Sequence, residues 1–227
     1  MAQVFLAYAQ EDLDAWPAPS LESVPAASGI SVATIRQGLL EAGVTVWDRH
    51  HNLPAEANVE VAISRATEGC DNYVILLSPQ ALRDVYCLQG LLFALSLNKR
   101  IVPVQLQTIT IQPLPEPLQT LNWLDLNAQS EQGDCPLQAT LQRDAAYHHT
   151  HTQLLIKALQ WERQWRNPDL LMHGADLVES QQWFMAAQQR SKYRPIQLQG
   201  LYMAESLTQA AGGATSARAK TRRWWGL

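Results

Sequence analysis

Histidines are the residues of this 227-residue chain that most readily suggest metal chemistry. His148 and His151 are spaced about one helical turn apart, and His50 and His51 are adjacent. A zinc site needs convergent ligands in a closed geometry, and no cysteine or acidic residue joins either group at a familiar spacing. The sequence therefore predicts no metal site.

A second set of reactive side chains surrounds the helix that is predicted at 85–98. It includes the thiol of Cys87, and Asp84 is the only acid in residues 82–98. Cys87 stands among apolar neighbours, where a cysteine is usually buried and inert. Thiol catalysis is therefore not predicted, and Asp84 is the only carboxylate of this segment.

Alternating apolar runs and helical patterns predict the elements that position these residues. Strands are predicted at 4–8, 44–47, 73–77, 101–106 and 121–126. Helices are predicted between them at 32–42, 57–67 and 85–98, with Ser31 as an N-cap and loops at 13–29 and 48–54. This alternation is typical of a parallel sheet with helices on both faces. Functional side chains in such folds lie beyond the carboxyl ends of the strands, here near Tyr8, Asp48, Ser78 and Leu106.

After residue 127 the sequence no longer alternates between strand and helix patterns, and only helices are predicted. Helices are predicted at 137–165, 176–190 and 196–209, and Asp176 with Glu179 forms a capping-box pattern at the start of the second one. Gly212-Gly213 then opens a basic tail that we expect to be flexible. The predicted organisation is a domain at 1–127, a helical extension at 137–209 and a tail at 210–227.

Composition narrows the classes of partner. The net charge is −4, yet the last ten residues hold four cations and no acid, so the rest of the chain is more acidic than the whole. This argues against nucleic-acid binding. Charged residues make up only 17%, which favours a surface partly covered by partners. Three cysteines without a CxxC pattern and no apparent signal peptide predict a cytoplasmic protein.

Four segments in order resemble the motifs of bacterial TIR (Toll/interleukin-1 receptor) domains. Val4–Tyr8 is similar to the first TIR box, and Val46–Asp48 followed by Leu53-Pro54 resembles the second strand and the BB loop. Ser78-Pro79-x-x-Leu82 followed by Tyr86-Cys87 resembles the stretch S-P-x-x-L…W-C, and Leu97–Val104 resembles the N-K-R-I-I-P-V strand. The resemblance implies a flavodoxin-like, five-stranded parallel sheet followed by an α-helical extension.

The resemblance also implies a chemistry, the cleavage of the nicotinamide–ribose bond of NAD⁺. A glutamate four residues after the tryptophan of W-C-x-x-E-L serves that reaction, because a carboxylate near the ribose stabilises an oxocarbenium-like transition state. Here Tyr86 stands at the tryptophan position and Gly90 at the glutamate position. Asp84 lies six residues before Gly90, more than one turn away, and cannot simply replace the glutamate. No catalytic residue is therefore assigned.

The family's nucleotide pocket corresponds in part to Tyr8, Trp47 and Ser78. Tyr8 and Trp47 also fit ordinary packing at strand ends, and Ser78 also fits a turn or a helix cap. No cofactor is predicted, and NAD⁺ stays open as a ligand or a substrate.

Surfaces around the BB loop and neighbouring helices join TIR domains to each other. The corresponding candidates for interaction are Asp48, Leu53, Pro54, Leu88, Leu92 and Phe93. The helix at 85–98 is apolar almost all round, which predicts burial on more than one side. Either a partner or the C-terminal helices of the same chain would cover it.

The C-terminal part resembles the region behind TIR domains in bacterial multidomain proteins. His151-Thr152-x-Leu154-Leu155 and Ala158–Arg163 are similar to the helix H-T-x-L-L…A-L-x-W-E-R of that region. Arg222, Arg223, Trp224 and Trp225 resemble the edge of a juxtamembrane segment, which predicts proximity to a membrane. The alternative is a disordered tail.

The sequence thus predicts a homo-oligomeric signalling module that binds TIR domains, its own copies or others. It leaves open whether the chain is an enzyme and favours lost or weak NAD⁺ cleavage. The alternatives are an NAD⁺ nucleosidase of bacterial immune signalling and a module that binds a nucleotide without turnover.

Overall fold

The computed structural model describes residues 3–14, 31–106, 109, 116–126 and 136–224. Five parallel strands form one sheet in the order β2-β1-β3-β4-β5. The strands are β1 (Gln3–Ala7), β2 (Thr45–Trp47), β3 (Asn72–Leu77), β4 (Arg100–Gln105) and β5 (Leu124–Asp125). The predicted flavodoxin-like parallel sheet is thereby confirmed, with its switch point between β1 and β3.

The first of two compact units, residues 1–149, holds this sheet and most of the helices. The helices are α1 (Gln10–Asp14), α2 (Val32–Glu41), α3 (Arg49–Asn52), α4 (Val59–Gly69), α5 (Val85–Ser96), α6 (Glu116–Gln119), α7 (Pro136–Gln142) and the start of α8 (Ala145–Arg163). Ser31 caps α2 as predicted, since its hydroxyl accepts a hydrogen bond from the backbone N–H of Thr34. Most of the loop predicted at 13–29 lies outside the described residues.

Apolar layers cover both faces of the sheet. All six residues of β3 are buried, as expected for the central strand of a parallel sheet. One layer packs strand residues such as Val74 against Leu39 of α2 and Leu137 of α7. The other packs Tyr73 against Ile63 of α4 and Leu91 of α5. The sheet thereby fixes the strand ends at which functional side chains are expected.

Several elements differ from the sequence-based expectation. The loop predicted at 48–54 contains α3, because the Asp48 side chain accepts a hydrogen bond from the backbone N–H of His51 and caps this short helix. The single helix predicted at 137–165 is divided into α7 and α8, and Asp144 at the break has a positive φ of 57°. Its first part belongs to the core of the sheet unit, which Leu137 and Leu141 help to form.

The second compact unit, residues 150–227, is helical, as predicted. It contains the rest of α8, α9 (Gly174–Gln188) and α10 (Gln197–Trp224), around a core that includes Trp161, Leu177 and Tyr202. The predicted capping box is wrong, because α9 begins two residues before Asp176, whose carboxylate instead lies 3.3 Å from Nζ of Lys157.

In the tail predicted at 210–227, α10 continues to Trp224, and the expected flexibility of this segment stays a prediction. The segment around the two glycines is rich in alanine, the strongest helix former, which offsets their cost. None of the described helices combines the length and the apolar character that a membrane crossing requires.

Asn72, at the amino end of β3, offers a test of the packing. Its side chain is fully buried, and neither Oδ1 nor Nδ2 makes a hydrogen bond with any described residue. A buried amide without partners costs about 1–3 kcal/mol, and valine favours strands. We therefore expect Asn72→Val to raise the free energy of unfolding in urea by about 1–3 kcal/mol. As a control, Asn58→Ala removes the N-cap of α4 and should lower the free energy of unfolding by about 1 kcal/mol. A lower free energy of unfolding in Asn72→Val would contradict the prediction.

Candidate functional site

A pocket lies at the carboxyl end of β1, beside the switch point of the sheet. The pocket is small and open, and the 230 Å³ of space in and around it includes part of the solvent. Contributions come from β1, α3, α4 and α5; the lining residues are Phe5, Leu6, Ala7, Tyr8, Arg49, His50, Ile63, Tyr86 and Cys87. Open parallel sheets bind ligands at this kind of position, so the pocket is the candidate site.

Asp48 organises the polar groups behind the pocket. Its carboxylate is fully buried and accepts hydrogen bonds from the Tyr8 hydroxyl at 2.8 Å and from Nε of Arg36 at 2.9 Å. Oδ1 of Asp48 also accepts a hydrogen bond from the backbone N–H of His51 at 2.9 Å. The ring Nδ1 of His51 lies 2.8 Å from the same oxygen. Burial raises the pKa of Asp48, but the hydrogen bonds from His51, Tyr8 and Arg36 outweigh it, and the pKa lies below its ordinary value.

Asp48 is therefore an ionised anchor within the domain, and its side chain is not part of the surface. Tyr8 lines the pocket, but its hydroxyl is committed to Asp48. Burial and this hydrogen bond raise the pKa of Tyr8 well above its ordinary value, so the phenol stays protonated. The ring of His50 lies 4.9 Å from the Tyr8 ring and also faces the pocket.

Arg49 is the cation of the pocket, and it is tied to the first turn of α5. Its Nη2 lies 2.8 Å from Oδ2 of Asp84, and its guanidinium lies 4.7 Å from the centre of the Tyr86 ring. Oδ1 of Asp84 accepts hydrogen bonds from the backbone N–H groups of Tyr86 and Cys87, both at 2.9 Å. Burial raises the pKa of Asp84, yet these backbone hydrogen bonds and Arg49 together bring it below its ordinary value.

Ser78 and Trp47 lie away from the pocket lining. The Ser78 hydroxyl is fully buried and donates to Oδ2 of Asp12 at 2.7 Å. Burial is the main reason that the pKa of Asp12 is raised. Trp47 is half-buried and packs on Phe5, with ring centres 4.7 Å apart. Of the three residues predicted for a nucleotide pocket, the structure thus brings only Tyr8 to it.

Arg49, His50 and Asp12 are absent from the site residues predicted from sequence. Asp12 could have been found from the sequence, since it lies shortly after the carboxyl end of β1, where functional side chains are expected. Arg49 and Asp84 are 35 residues apart, and nothing in the sequence pattern pairs them. Within the described residues, no group of three or more histidine, cysteine, aspartate or glutamate side chains is arranged to hold a metal ion.

Gly90 faces the sheet, and its lack of a side chain makes room for Tyr73. A Cβ atom at residue 90 would lie 2.6 Å from the Tyr73 hydroxyl oxygen and 3.3 Å from two carbons of the ring. The Tyr73 hydroxyl donates to the backbone carbonyl of Cys87 at 3.0 Å, and its ring stacks on Phe5 at 4.8 Å. The ring of Tyr73 therefore occupies the space that a side chain at residue 90 would enter.

The outer side of α5 carries exposed apolar residues. Val85 and Leu92 are 64% and 57% exposed, and burial of this side of the helix by a partner stays a prediction. Leu88 and Phe93 are half-buried. In the segment after α3, Leu53 is half-buried and Pro54 is exposed. Five of the six predicted interaction residues thus reach the surface at least in part, and Asp48 does not.

Comparison with known proteins gives a match to one family model and one similar solved structure. Residues 28–139 match the family model described as "TIR domain". Among solved structures, the chain is similar to the TIR domain of the Toll-related receptor TRR-2 from Hydra magnipapillata, at 20% identity and a TM-score of 0.42. That similarity covers 54% of this chain and 82% of the receptor domain. A search of curated proteins finds no match.

Substitution of Gly90 tests the close approach of Tyr73. Alanine favours helices over glycine by about 1 kcal/mol, but an added methyl group in a filled core costs about 1–3 kcal/mol. We expect Gly90→Ala to lower the free energy of unfolding by about 1–2 kcal/mol, measured in urea. Gly38 in α2 is a matched control, since its Cβ would meet nothing within 4 Å, and Gly38→Ala should be stabilising. Equal gains in both variants would show that residue 90 has free space.

Proposed function

Because residues 28–139 of this chain match the family model of the TIR domain, we propose that the protein is a signalling module that assembles with TIR domains, including its own copies, and does not cleave NAD⁺. The observation that carries the proposal is the contact between Gly90 and Tyr73. Residue 90, which by the resemblance corresponds to the family's glutamate, has no carboxylate, and Tyr73 occupies the space that a side chain there would enter. The setting we propose, as the resemblance implies, is immune signalling in the bacterial cytoplasm.

The charges around the pocket support the proposal that the protein does not cleave NAD⁺. Cleavage of the nicotinamide–ribose bond builds positive charge on the sugar, and a nearby carboxylate must offset it. No acidic residue is among the described pocket-lining residues, and Arg49 adds a cation. Asp48 and Asp84 lie close by, but their oxygens accept hydrogen bonds from protein donors. The pocket would therefore disfavour the transition state rather than stabilise it.

The exposed side of α5 supports the assembly role. Val85, Leu88 and Leu92 follow one another at three- and four-residue spacing, which places them on one face of the helix. We call these three residues the α5 stripe. Exposed apolar residues that are grouped in this way mark interaction surfaces more often than residues scattered singly. Pro54 in the segment after α3 and the α5 stripe are the parts of the surface that we assign to TIR–TIR contact.

We also propose that the basic end of the chain lies close to a membrane. Arg222, Arg223 and Trp224 form the last turn of α10, and Trp225 lies outside the described residues. Cations attract anionic headgroups, and tryptophan prefers the membrane–water interface. This would place the assembly at the cytoplasmic face of the membrane.

A charge placed in the α5 stripe tests assembly. We expect the molar mass measured by light scattering to rise above the monomer mass of 25.4 kDa with concentration, and Leu92→Glu to weaken this association about tenfold or more. Gln182→Glu is the matched control, because Gln182 is exposed on α9, outside the α5 stripe, and the substitution adds the same charge without removing apolar surface. A mass that stays at the monomer value at all concentrations, or Leu92→Glu associating like wild type, would contradict the proposal.

Incubation with NAD⁺ distinguishes this function from the two alternatives. We expect no nicotinamide release above the buffer rate from the wild type, and none from Gly90→Glu, because Tyr73 fills the space that the glutamate would need. Turnover at the level of an intact TIR enzyme would support the nucleosidase instead. A rise in melting temperature with NAD⁺ but no turnover would support a module that binds the nucleotide without cleaving it.

A further inference from the structure

The helix α3 lies over the candidate pocket without being part of the core. None of its four residues is buried, although Arg49 and His50 line the pocket. Its position depends on polar contacts: Asp48 caps its first turn, and His50 Nε2 lies 3.4 Å from the backbone carbonyl of Tyr8. An element held in this way can leave its position without exposing a hydrophobic core.

The ion pair of Arg49 with Asp84 joins α3 to the start of α5. The two nitrogens of the guanidinium lie 2.8 and 3.4 Å from the two carboxylate oxygens, a forked arrangement. The side chains are only 16% and 14% exposed, so solvent screens this pair less than an ordinary surface pair. The Tyr86 ring, 4.7 Å from the guanidinium, adds a cation–π contact.

The Asp84 carboxylate has two separable roles. Its Oδ1 caps α5 through the backbone N–H groups of Tyr86 and Cys87, while its Oδ2 receives the short contact from Arg49. Loss of Arg49 therefore leaves the cap of α5 in place. The ion pair can open while the helix on the other side of the pocket stays folded.

We propose that Arg49 and Asp84 form a clasp that closes α3 over the pocket, and that release of the clasp exposes the pocket floor at Cys87. The clasp also ties the segment that leads to Pro54 to the first turn of α5. A second consequence rests on the proposed function: an open clasp separates Pro54 from the α5 stripe, the two parts of the assembly surface.

Two buried thiols allow the opening to be measured. Cys87 lines the pocket and is 4% exposed, whereas Cys70 is 3% exposed and precedes the amino end of β3, at the opposite edge of the sheet. Opening of the clasp exposes Cys87 alone, whereas unfolding of the whole unit exposes both. Cys135, which lies outside the described residues, is replaced by serine in every protein.

The experiment labels dilute full-length protein with N-ethylmaleimide and follows each cysteine by peptide mass spectrometry. We expect Arg49→Gln to accelerate the labelling of Cys87 about tenfold and to leave the rate at Cys70 unchanged. Arg83→Gln is the matched control, since Arg83 is exposed, precedes Asp84 and removes the same charge. It should label like wild type.

Three results would overturn the clasp. They are a wild-type rate at Cys87 in Arg49→Gln, equal acceleration at Cys87 and Cys70, and acceleration by Arg83→Gln. Labelling in the Leu92→Glu background separates this proposal from the proposed function, because that variant should keep the slow rate at Cys87. A failure of assembly therefore leaves the labelling result intact, and a failure of the clasp leaves the light-scattering result intact.

Discussion

A carboxylate can remain ionised inside a protein only if hydrogen-bond donors replace the water that it loses. The elements around the candidate pocket, at the carboxyl end of β1, are arranged to supply such donors. The donors to Asp48 come from the end of β1, from α2 and from α3, so one buried charge joins three elements that are distant in sequence. The pocket exists where it does because α3 is fixed at that point. Everything placed on α3, including the guanidinium of Arg49, depends on the same anchor.

The sheet was predictable because its evidence is local. Apolar runs, the Ser31 cap and the alternation of elements each depend on a few adjacent residues. The helix α3 was missed because its cap is a single aspartate in a polar segment that reads as a loop. The break between α7 and α8 was missed because Asp144 adopts a left-handed conformation that residue type alone does not require.

The site was predicted less completely, since its contacts are long-range. The sequence shows that residue 90 is a glycine, but the reason for it lies in Tyr73 on a neighbouring strand. The ion pair of Arg49 with Asp84 likewise joins residues 35 positions apart. Tyr8 was identified from its position at a strand end, whereas burial of Ser78 beside Asp12 depends on how two strand ends meet. Single-sequence patterns carry no information on such pairings.

The packing of Tyr73 against Gly90 also has an evolutionary consequence. A glutamate introduced first at residue 90 would clash with the ring, and a smaller residue introduced first at residue 73 would leave a cavity that costs about 2–5 kcal/mol. Either single step passes through a destabilised protein, and natural domains have little stability to lose. The two positions are therefore coupled: a larger side chain at residue 90 and a smaller one at residue 73 are tolerated only when the two changes are made together.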